Sequence, residues 1–154
     1  WGAPLVLSEF GAPAETENIA GYMAAQYDWL DDHFSSGIQW CYTPGWTGAL
    51  KDGWNREDFS IVDDSGRLRA NYTPRPYPRK IAGTPGVFTL TDTGFTLTWN
   101  ATLPGAATEI FLPENYADDK TPSYNIPGGD CTVAGQVLSC TGTGTGNASV
   151  NLLQ

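Results

Sequence analysis

Apolar and polar positions in the first part of the chain predict two strands separated by a helix. Residues 4–10 combine an apolar run with Glu9 near its end, a pattern typical of a strand that is buried on both faces. Between Ile19 and Phe34, apolar side chains recur at the spacing of one helix face. Residues 38–42 form a second short apolar run. Together these elements predict one parallel β-α-β unit.

The ends of these elements carry their own signals. Thr16 or Asn18 is placed to cap the start of the helix, and Gly37 is the expected stop after its end. Further along, the prolines between Asn71 and Gly83 are placed to open a short final helix that Gly83 ends. We therefore expect a first domain that ends at residue 83.

In the second half of the chain, apolar side chains recur at every second position. Apolar side chains alternate with Thr and Asn in short runs, which Gly, Pro, Asp and Asn separate. The alternating apolar positions are Phe88, Leu90, Phe95, Leu97, Trp99, Val150 and Leu152. This pattern predicts an antiparallel β-sandwich over residues 84–154. The predicted fold class is α/β for residues 1–83, followed by an all-β domain.

Two of the three cysteines are placed to form a disulfide. Cys131 and Cys140 bracket a predicted hairpin that turns near Gly135, and facing residues of a hairpin meet disulfide geometry. Cys41 stands in an apolar context and is expected to remain a free thiol. A structural disulfide predicts a secreted or extracellular protein. Sequons at Asn71, Asn100 and Asn147 are compatible with secretion and are also frequent by chance.

Charge and composition narrow the classes of function. The formal net charge is −9 and the charged residues are dispersed, which opposes nucleic-acid binding and electrostatic attraction to anionic lipid. An uncharged substrate is not opposed. No apolar run approaches the length of a membrane span. Asp63 and Asp64 favour a turn over a metal site, because no loop of ligand spacing surrounds them.

The pattern indicates Glu9 and Trp40 as the candidate functional residues. In a parallel β-α-β unit they lie at or near the ends of neighbouring strands, at the same mouth. A carboxylate beside an aromatic ring is what glycoside cleavage requires, since the ring stacks on the sugar while the carboxylate acts at the anomeric carbon. The alternatives are a solvated glutamate at a strand end and a tryptophan packed at the rim.

Three motifs resemble glycoside hydrolase family 5. Leu5-Val6-Leu7-Ser8-Glu9-Phe10-Gly11 resembles the seventh barrel strand of that family, whose Glu-Phe-Gly carries the nucleophile. Trp40 matches the tryptophan of its eighth strand. Residues 75–79 with 81–85 resemble the passage by which endoglycoceramidase-like members leave the barrel and enter a C-terminal sandwich. The resemblance covers residues 1–86 well, whereas the sandwich matches only in its position along the chain and in its pattern of short alternating runs.

The resemblance implies the last two β/α units of a TIM (β/α)8 barrel from a retaining glycosidase. Glu9 would be the nucleophile, and a glutamate near the end of the fourth strand, outside this chain, would be the acid/base about 5 Å away. No metal and no cofactor is implied, since two carboxylates supply the chemistry. The chain begins at Trp1 directly before its first strand, so we expect it to need a missing N-terminal part of the barrel and to be inactive alone.

The implied substrate is the glycan–ceramide bond of a glycolipid, or a related lipid-linked glycoside. Trp40 is assigned to a sugar subsite, with Tyr42 beside it. Trp46 is assigned to the border of an aglycone groove, and anchoring of its own loop is an equal alternative. A substrate of this kind also implies peripheral contact with a membrane or micelle surface.

Three alternatives for function remain open. The sandwich is a candidate binding module for carbohydrate or a lipid surface, or it only braces the barrel. Within the enzyme class, the parent protein is a candidate hydrolase of simple β-glucosides or sterol glucosides, because specificity lies in loops that these motifs do not include.

Overall fold

The computed structural model describes residues 4–118 and 120–153. Its contacts divide the chain into two compact units, residues 1–73 and residues 74–154. The boundary between the units falls ten residues before the one expected from sequence, because the segment Tyr77–Lys80 is a strand of the second unit. The short helix expected between Asn71 and Gly83 is wrong, and this strand takes its place.

The first unit contains the predicted β-α-β arrangement. Strand β1 (Val6–Phe10), helix α1 (Ile19–Asp32) and strand β2 (Ser36–Gln39) follow one another. Strands β1 and β2 are parallel, with Val6 opposite Ser36 and Leu7 opposite Gly37. Strand β2 is shorter than the predicted strand 38–42, so Trp40 and the residues after it lie beyond its end.

Helix α1 buries one face through Ile19, Met23 and Leu30, as its spacing predicts. Its ends differ from the prediction. Asn18 precedes the helix with a left-handed backbone and no side-chain capping hydrogen bond. Within the described residues, no helix is both long and apolar enough to cross a membrane.

Gly37 does not end the helix but lies inside β2. A Cβ atom on Gly37 would lie 2.7 Å from Cδ1 of Leu30 and 2.9 Å from Cε1 of Phe10. Glycine therefore suits the close packing of α1 and β1 against β2, because a larger residue would push against the ends of the Leu30 and Phe10 side chains.

The two parallel strands leave apolar side chains open to solvent. Leu5, Val6 and Ile38 are 56%, 55% and 60% exposed. Burial of the first strand on both faces was the expectation, and within the described part of this chain it is wrong. A two-stranded sheet supplies too few neighbours to cover these side chains.

The second unit is a sandwich of two four-stranded antiparallel sheets. Its strands are β3 (Tyr77–Lys80), β4 (Gly83–Thr91), β5 (Gly94–Ala101), β6 (Ala107–Phe111), β7 (Ser123–Asn125), β8 (Gly129–Ala134), β9 (Val137–Gly142) and β10 (Gly146–Leu153). One sheet has the order β4-β5-β10-β7 and the other has the order β3-β6-β9-β8. The predicted antiparallel all-β arrangement is confirmed.

The core of the sandwich is drawn from the predicted alternating positions. Phe95, Leu97, Val150 and Leu152 have no exposed surface, and Trp99 is 4% exposed. The second sheet contributes side chains that are equally buried: Ile110, Leu138 and Cys140. The period of two therefore places the core correctly.

The β8–β9 hairpin carries the predicted disulfide. Gly135, with φ of 55°, begins the connection between Ala134 and Val137, which pair with each other. A positive φ at this position suits the turns that join twisted strands. In this register Cys131 lies directly opposite Cys140, and a disulfide joins them.

Candidate active site

The β-α-β unit brings the backbone of Trp40 next to the end of the strand that carries Glu9. Glu9 is the penultimate residue of β1, and it is exposed. Immediately after it, the carbonyl of Phe10 accepts a 2.8 Å hydrogen bond from the Trp40 N–H. None of the hydrogen bonds and ion pairs that join the described residues involves the Glu9 carboxylate. The acid is therefore presented at the open end of two parallel strands.

Gly11 makes this junction possible. A Cβ atom on Gly11 would lie 2.3 Å from the carbonyl oxygen of Trp40, closer than any side chain tolerates. The Glu-Phe-Gly motif thus has a structural requirement at its third position, because the chain that follows Trp40 passes directly over Gly11.

The segment after Trp40 is held by a second layer of backbone. The Cys41 N–H donates to the Phe59 carbonyl at 3.3 Å, and the Ile61 N–H donates to the Cys41 carbonyl at 2.9 Å. The peptide bond between Trp40 and Cys41 is cis. Cys41 is a free, half-buried thiol, and its burial raises its pKa. The free thiol is as expected, but its surroundings are not purely apolar, because the sulfur lies 3.3 Å from the Thr43 hydroxyl and 3.9 Å from the Asp52 carboxylate.

Among the three aromatic residues predicted to contact substrate, Trp40 and Tyr42 differ in how much of the residue is exposed to solvent. Trp40 is half-buried, whereas Tyr42 is 67% exposed. Among the described residues, no hydrogen bond or ring contact fixes the side chain of Tyr42. Trp54, in the same loop region, is 63% exposed.

Trp46 is fixed by a small polar cluster. Its indole N–H donates to the Asp58 carboxylate at 3.0 Å, and the Arg69 guanidinium lies over its ring at 4.3 Å from the centroid. Arg69 also pairs with Asp58 at 2.6 Å, and this hydrogen bond lowers the pKa of Asp58. These contacts support the alternative in which Trp46 anchors its own loop. Arg69 and Asp58 gave no sequence signal, because their partners lie in irregular loops.

Asn71 belongs to a sequon, but its contacts give it a structural role. Its side chain has no exposed surface, and its amide donates to the carbonyls of Ala12 at 3.1 Å and Phe59 at 2.9 Å. Asn71 thus ties the loop after β1 to the layer beside Cys41. An attached glycan has no room there, so the sequon at Asn71 is not a glycosylation site in the folded unit.

The paired aspartates form a turn, as predicted. The Asp63 carboxylate accepts hydrogen bonds from the N–H groups of Ser65 and Arg67, both at 2.9 Å. Hydrogen bonds from Ser65 and Arg67 lower the pKa of Asp63 to about 2. Among the described residues, no three His, Cys, Asp or Glu side chains cluster closely enough to hold a metal ion.

Comparison with known proteins identifies a family model that matches this chain and solved structures that share its fold. The model of the glycoside hydrolase family 5 C-terminal domain matches residues 75–151. A curated glucosylceramidase from Cryptococcus neoformans var. grubii serotype A is 23% identical over an alignment of 165 positions, gaps included, that spans 82% of this chain. The match covers 22% of the relative, so the chain spans about a fifth of its length.

Solved structures share the fold at low identity. Endo-glycoceramidase II from Rhodococcus sp., in a complex with a cellobiose-like imidazole, has a TM-score of 0.71 and 20% identity over 98% of this chain. Sterylglucosidase 1 from Cryptococcus neoformans has a TM-score of 0.72 and 18% identity over 99% of this chain. The alignments cover 33% and 28% of those proteins. Since the family model matches residues 75–151 of 154, half of the sequence, the chain belongs to the glycoside hydrolase family 5 C-terminal domain family.

Proposed function

We propose that this chain is the C-terminal part of a retaining glycosidase, in which Glu9 is the nucleophile. The observation that carries the proposal is the junction at the ends of β1 and β2. There Glu9 precedes Phe10, whose carbonyl binds the backbone of Trp40. The carboxyl ends of parallel barrel strands are where such enzymes hold their catalytic groups.

In this proposal Glu9 attacks the anomeric carbon and the sugar becomes covalently bound to its carboxylate oxygen. The leaving oxygen takes its proton from a second carboxylic acid, which then activates water for hydrolysis of the ester. The Rhodococcus relative has been captured as a lactosyl-enzyme intermediate. The family and the shared fold support the same chemistry for this chain.

The aromatic residues receive roles from their exposure and contacts. Trp40 supplies the platform on which the sugar stacks, since it lies at the same end of the sheet as Glu9. Tyr42, which is 67% exposed, lines the site farther out. Trp46 offers a sugar or an aglycone only the part of its ring that Arg69 and Asp58 leave open, so its main contribution is to hold the loop.

The remaining barrel strands belong to the complete enzyme. The exposed apolar side chains Leu5, Val6 and Ile38 are the surface that six further β/α units would cover. The acid/base comes from those units. This chain alone is therefore inactive, and no metal or cofactor takes part.

Lipid-linked glycosides are the substrate class we favour. The relatives are a glucosylceramidase, an endo-glycoceramidase and a sterylglucosidase, and the Rhodococcus protein has been solved with ganglioside GM3. Their shared feature is a sugar attached to a bulky apolar group. The enzyme would act outside the cell, which the Cys131–Cys140 disulfide supports, and would meet its substrate at a membrane or micelle surface.

The test joins an N-terminal barrel segment from a family 5 relative to residue 1 of this chain. We expect the joined protein to release sugar from a fluorescent glucosylceramide and the 154-residue chain to release none. A 2-fluoro glycosyl fluoride, which forms a stable ester with a nucleophile, should label the peptide that contains Glu9. Glu9→Gln should remove both turnover and labelling, because the amide cannot form the ester.

Glu17→Gln is the matched control, since Glu17 is an exposed glutamate in the following loop. It should keep turnover and labelling close to those of the unchanged protein. Labelling of any peptide other than that of Glu9, or full turnover by Glu9→Gln, would overturn the assignment. Release of sugar by the 154-residue chain would overturn the requirement for further strands.

A further inference from the structure

One sheet of the sandwich carries no charged side chain in its strands. Strands β4, β5, β7 and β10 include no Asp, Glu, Lys or Arg, although the chain has 25 such residues among 154. Hydroxyl and amide side chains predominate on the side of these strands away from the core, among them Thr84, Thr98, Asn100, Asn147 and Ser149. The exposed apolar side chains Val87 and Leu153 also belong to these strands, so the outer face is uncharged and mostly polar.

The strand register concentrates these groups at one end of the face. Asn147 on β10 lies directly opposite Asn100 on β5, which in turn lies opposite Thr84 on β4. One step along, Asn125 on β7 lies opposite Ser149. Paired positions of antiparallel strands share a face, so the three asparagines converge.

A depression of about 490 Å³ lies among these residues. It forms where β4 departs from regular pairing between Pro85 and Phe88, and where Gly86 packs closely on Thr98, since a Cβ on Gly86 would lie 2.6 Å from the Thr98 hydroxyl oxygen. Its lining also includes Pro85, Ala148 and Trp99, and only 4% of Trp99 is exposed. The volume is within the range of pockets that hold small ligands, roughly 300–1,000 Å³.

The amide groups of the pocket are available to a ligand. None of the hydrogen bonds among the described residues uses the side chain of Asn100, Asn125 or Asn147. The Thr98 hydroxyl, in contrast, is bonded to the backbone of Val87 at 2.9 Å. Each free amide presents donors and an acceptor together, which matches the paired donor and acceptor character of sugar hydroxyls.

We propose that this pocket is a second saccharide-binding site that takes a neutral sugar. A polyhydroxyl ligand satisfies the three amides without bringing a charge. An anionic sugar would find no cation in the lining, and the chain carries a net charge of −9. The site is independent of Glu9 and needs no other barrel strand, so the chain itself is expected to bind.

The test is a titration of the 15N-labelled 154-residue chain with cellobiose and lactose, followed by NMR. The chain is made in bacteria, so that the sequons at Asn100 and Asn147 carry no glycan. We expect saturable shifts of the side-chain amides of Asn100, Asn125 and Asn147 and of the backbone at Gly86. Because the pocket is uncharged, the affinity should not change between low and physiological salt. Glucuronic acid should give no saturable shift.

The double variant Asn125→Ala/Asn147→Ala should weaken binding by at least about tenfold, and its own spectrum reports whether the sandwich remains folded. Asn151→Ala is the matched control, because Asn151 lies on the same face of β10 outside the pocket. It should bind as the unchanged chain does. Absence of saturable shifts up to the solubility of both sugars would overturn the proposal. Shifts that persist in the double variant, or that fall only on Trp40 and Tyr42, would overturn it as well.

Discussion

The N–H of Trp40 donates a 2.8 Å hydrogen bond to the carbonyl of Phe10. This bond fastens the residue that follows β2 to the residue that follows Glu9. Any change in the path of the chain at Phe10 or Trp40 therefore alters the position of the proposed nucleophile relative to its aromatic neighbour. The two residues are separated by the whole of helix α1, so this geometry depends on the β-α-β packing.

Gly11→Ala is expected to break this junction. Its Cβ would lie 2.3 Å from the Trp40 carbonyl oxygen, so the backbone must move, and overpacking of this kind costs about 1–3 kcal/mol. Hydrogen exchange should show faster exchange of the Trp40 amide and a lower free energy of unfolding for the first unit.

Gly45→Ala is the control, because a Cβ at Gly45 meets nothing within 4 Å. It should leave the exchange of the Trp40 amide unchanged. Equal protection of that amide in Gly11→Ala and in the unchanged chain would contradict the close approach.

Asn71→Ala is expected to destabilise the first unit. The substitution leaves the Ala12 carbonyl without the Asn71 donor and the Phe59 carbonyl with only the Cys41 N–H, and a buried group left unpaired costs about 1–3 kcal/mol. Urea denaturation followed by tryptophan fluorescence should show a lower midpoint. Asn71→Asp should be at least as harmful, because it places a carboxylate against two carbonyl oxygens. An unchanged midpoint in both variants would show that Asn71 has no structural role.

Local patterns predicted the sandwich core and the disulfide. Both depend on short-range rules: the period of two places Leu97 and Val150 inside, and a two-residue turn at Gly135 places Cys131 opposite Cys140. The same logic placed Glu9 and Trp40 at one end of the parallel strands. The sandwich, which the sequence identified only by its texture, is the part that the family model matches.

The strand β3 was not predictable from local pattern. Its prolines resemble the start of a helix, but Tyr77–Lys80 pairs with β6, whose sequence lies some thirty residues away. Pro78 is tolerated because β3 is the edge strand of its sheet. The ring of Tyr77 also contacts that of Phe111, with centroids 5.0 Å apart. Tertiary pairing thus overrides the local signal.

The loop contacts around Trp46 were equally invisible to sequence patterns. Asp58 and Arg69 lie twelve and twenty-three residues beyond Trp46, in segments without regular structure. Only the folded loops bring the three together. The sequence therefore left open whether Trp46 contacts substrate or anchors its loop.

The Asp58–Arg69 pair should make the first unit sensitive to acid. The hydrogen bond from Arg69 lowers the pKa of Asp58 in the folded state below 3.8, so the carboxylate stabilises the fold above that pH. The stabilisation is lost as the pH falls through the lowered pKa. Asp58→Asn should reduce stability near neutral pH, and the difference from the unchanged chain should shrink below pH 4, as measured by urea denaturation across pH.

Arg69→Lys tests whether geometry or charge is responsible. Lysine keeps the charge but cannot pair with Asp58, contact the Ser60 carbonyl and cover the Trp46 ring together, as the guanidinium does. We expect Arg69→Lys to resemble Asp58→Asn and to alter the fluorescence of the first unit. A pH dependence identical in all three proteins would rule out the pair as the source of acid sensitivity.

Removal of the disulfide should lower the stability of the second unit alone. Cys131 and Cys140 are nine residues apart, and closing a loop of that length stabilises a fold by about 2–3 kcal/mol in the chain-entropy model. Cys131→Ala/Cys140→Ala should therefore lower the free energy of unfolding by about that amount. The exchange of the buried amides of Leu97 and Leu138 reports on the sandwich specifically. Cys41→Ala is the matched control, because Cys41 is the free thiol of the other unit, and it should leave those amides as protected as before. Equal protection in the double variant would mean that the β8–β9 pairing holds the hairpin without its covalent link.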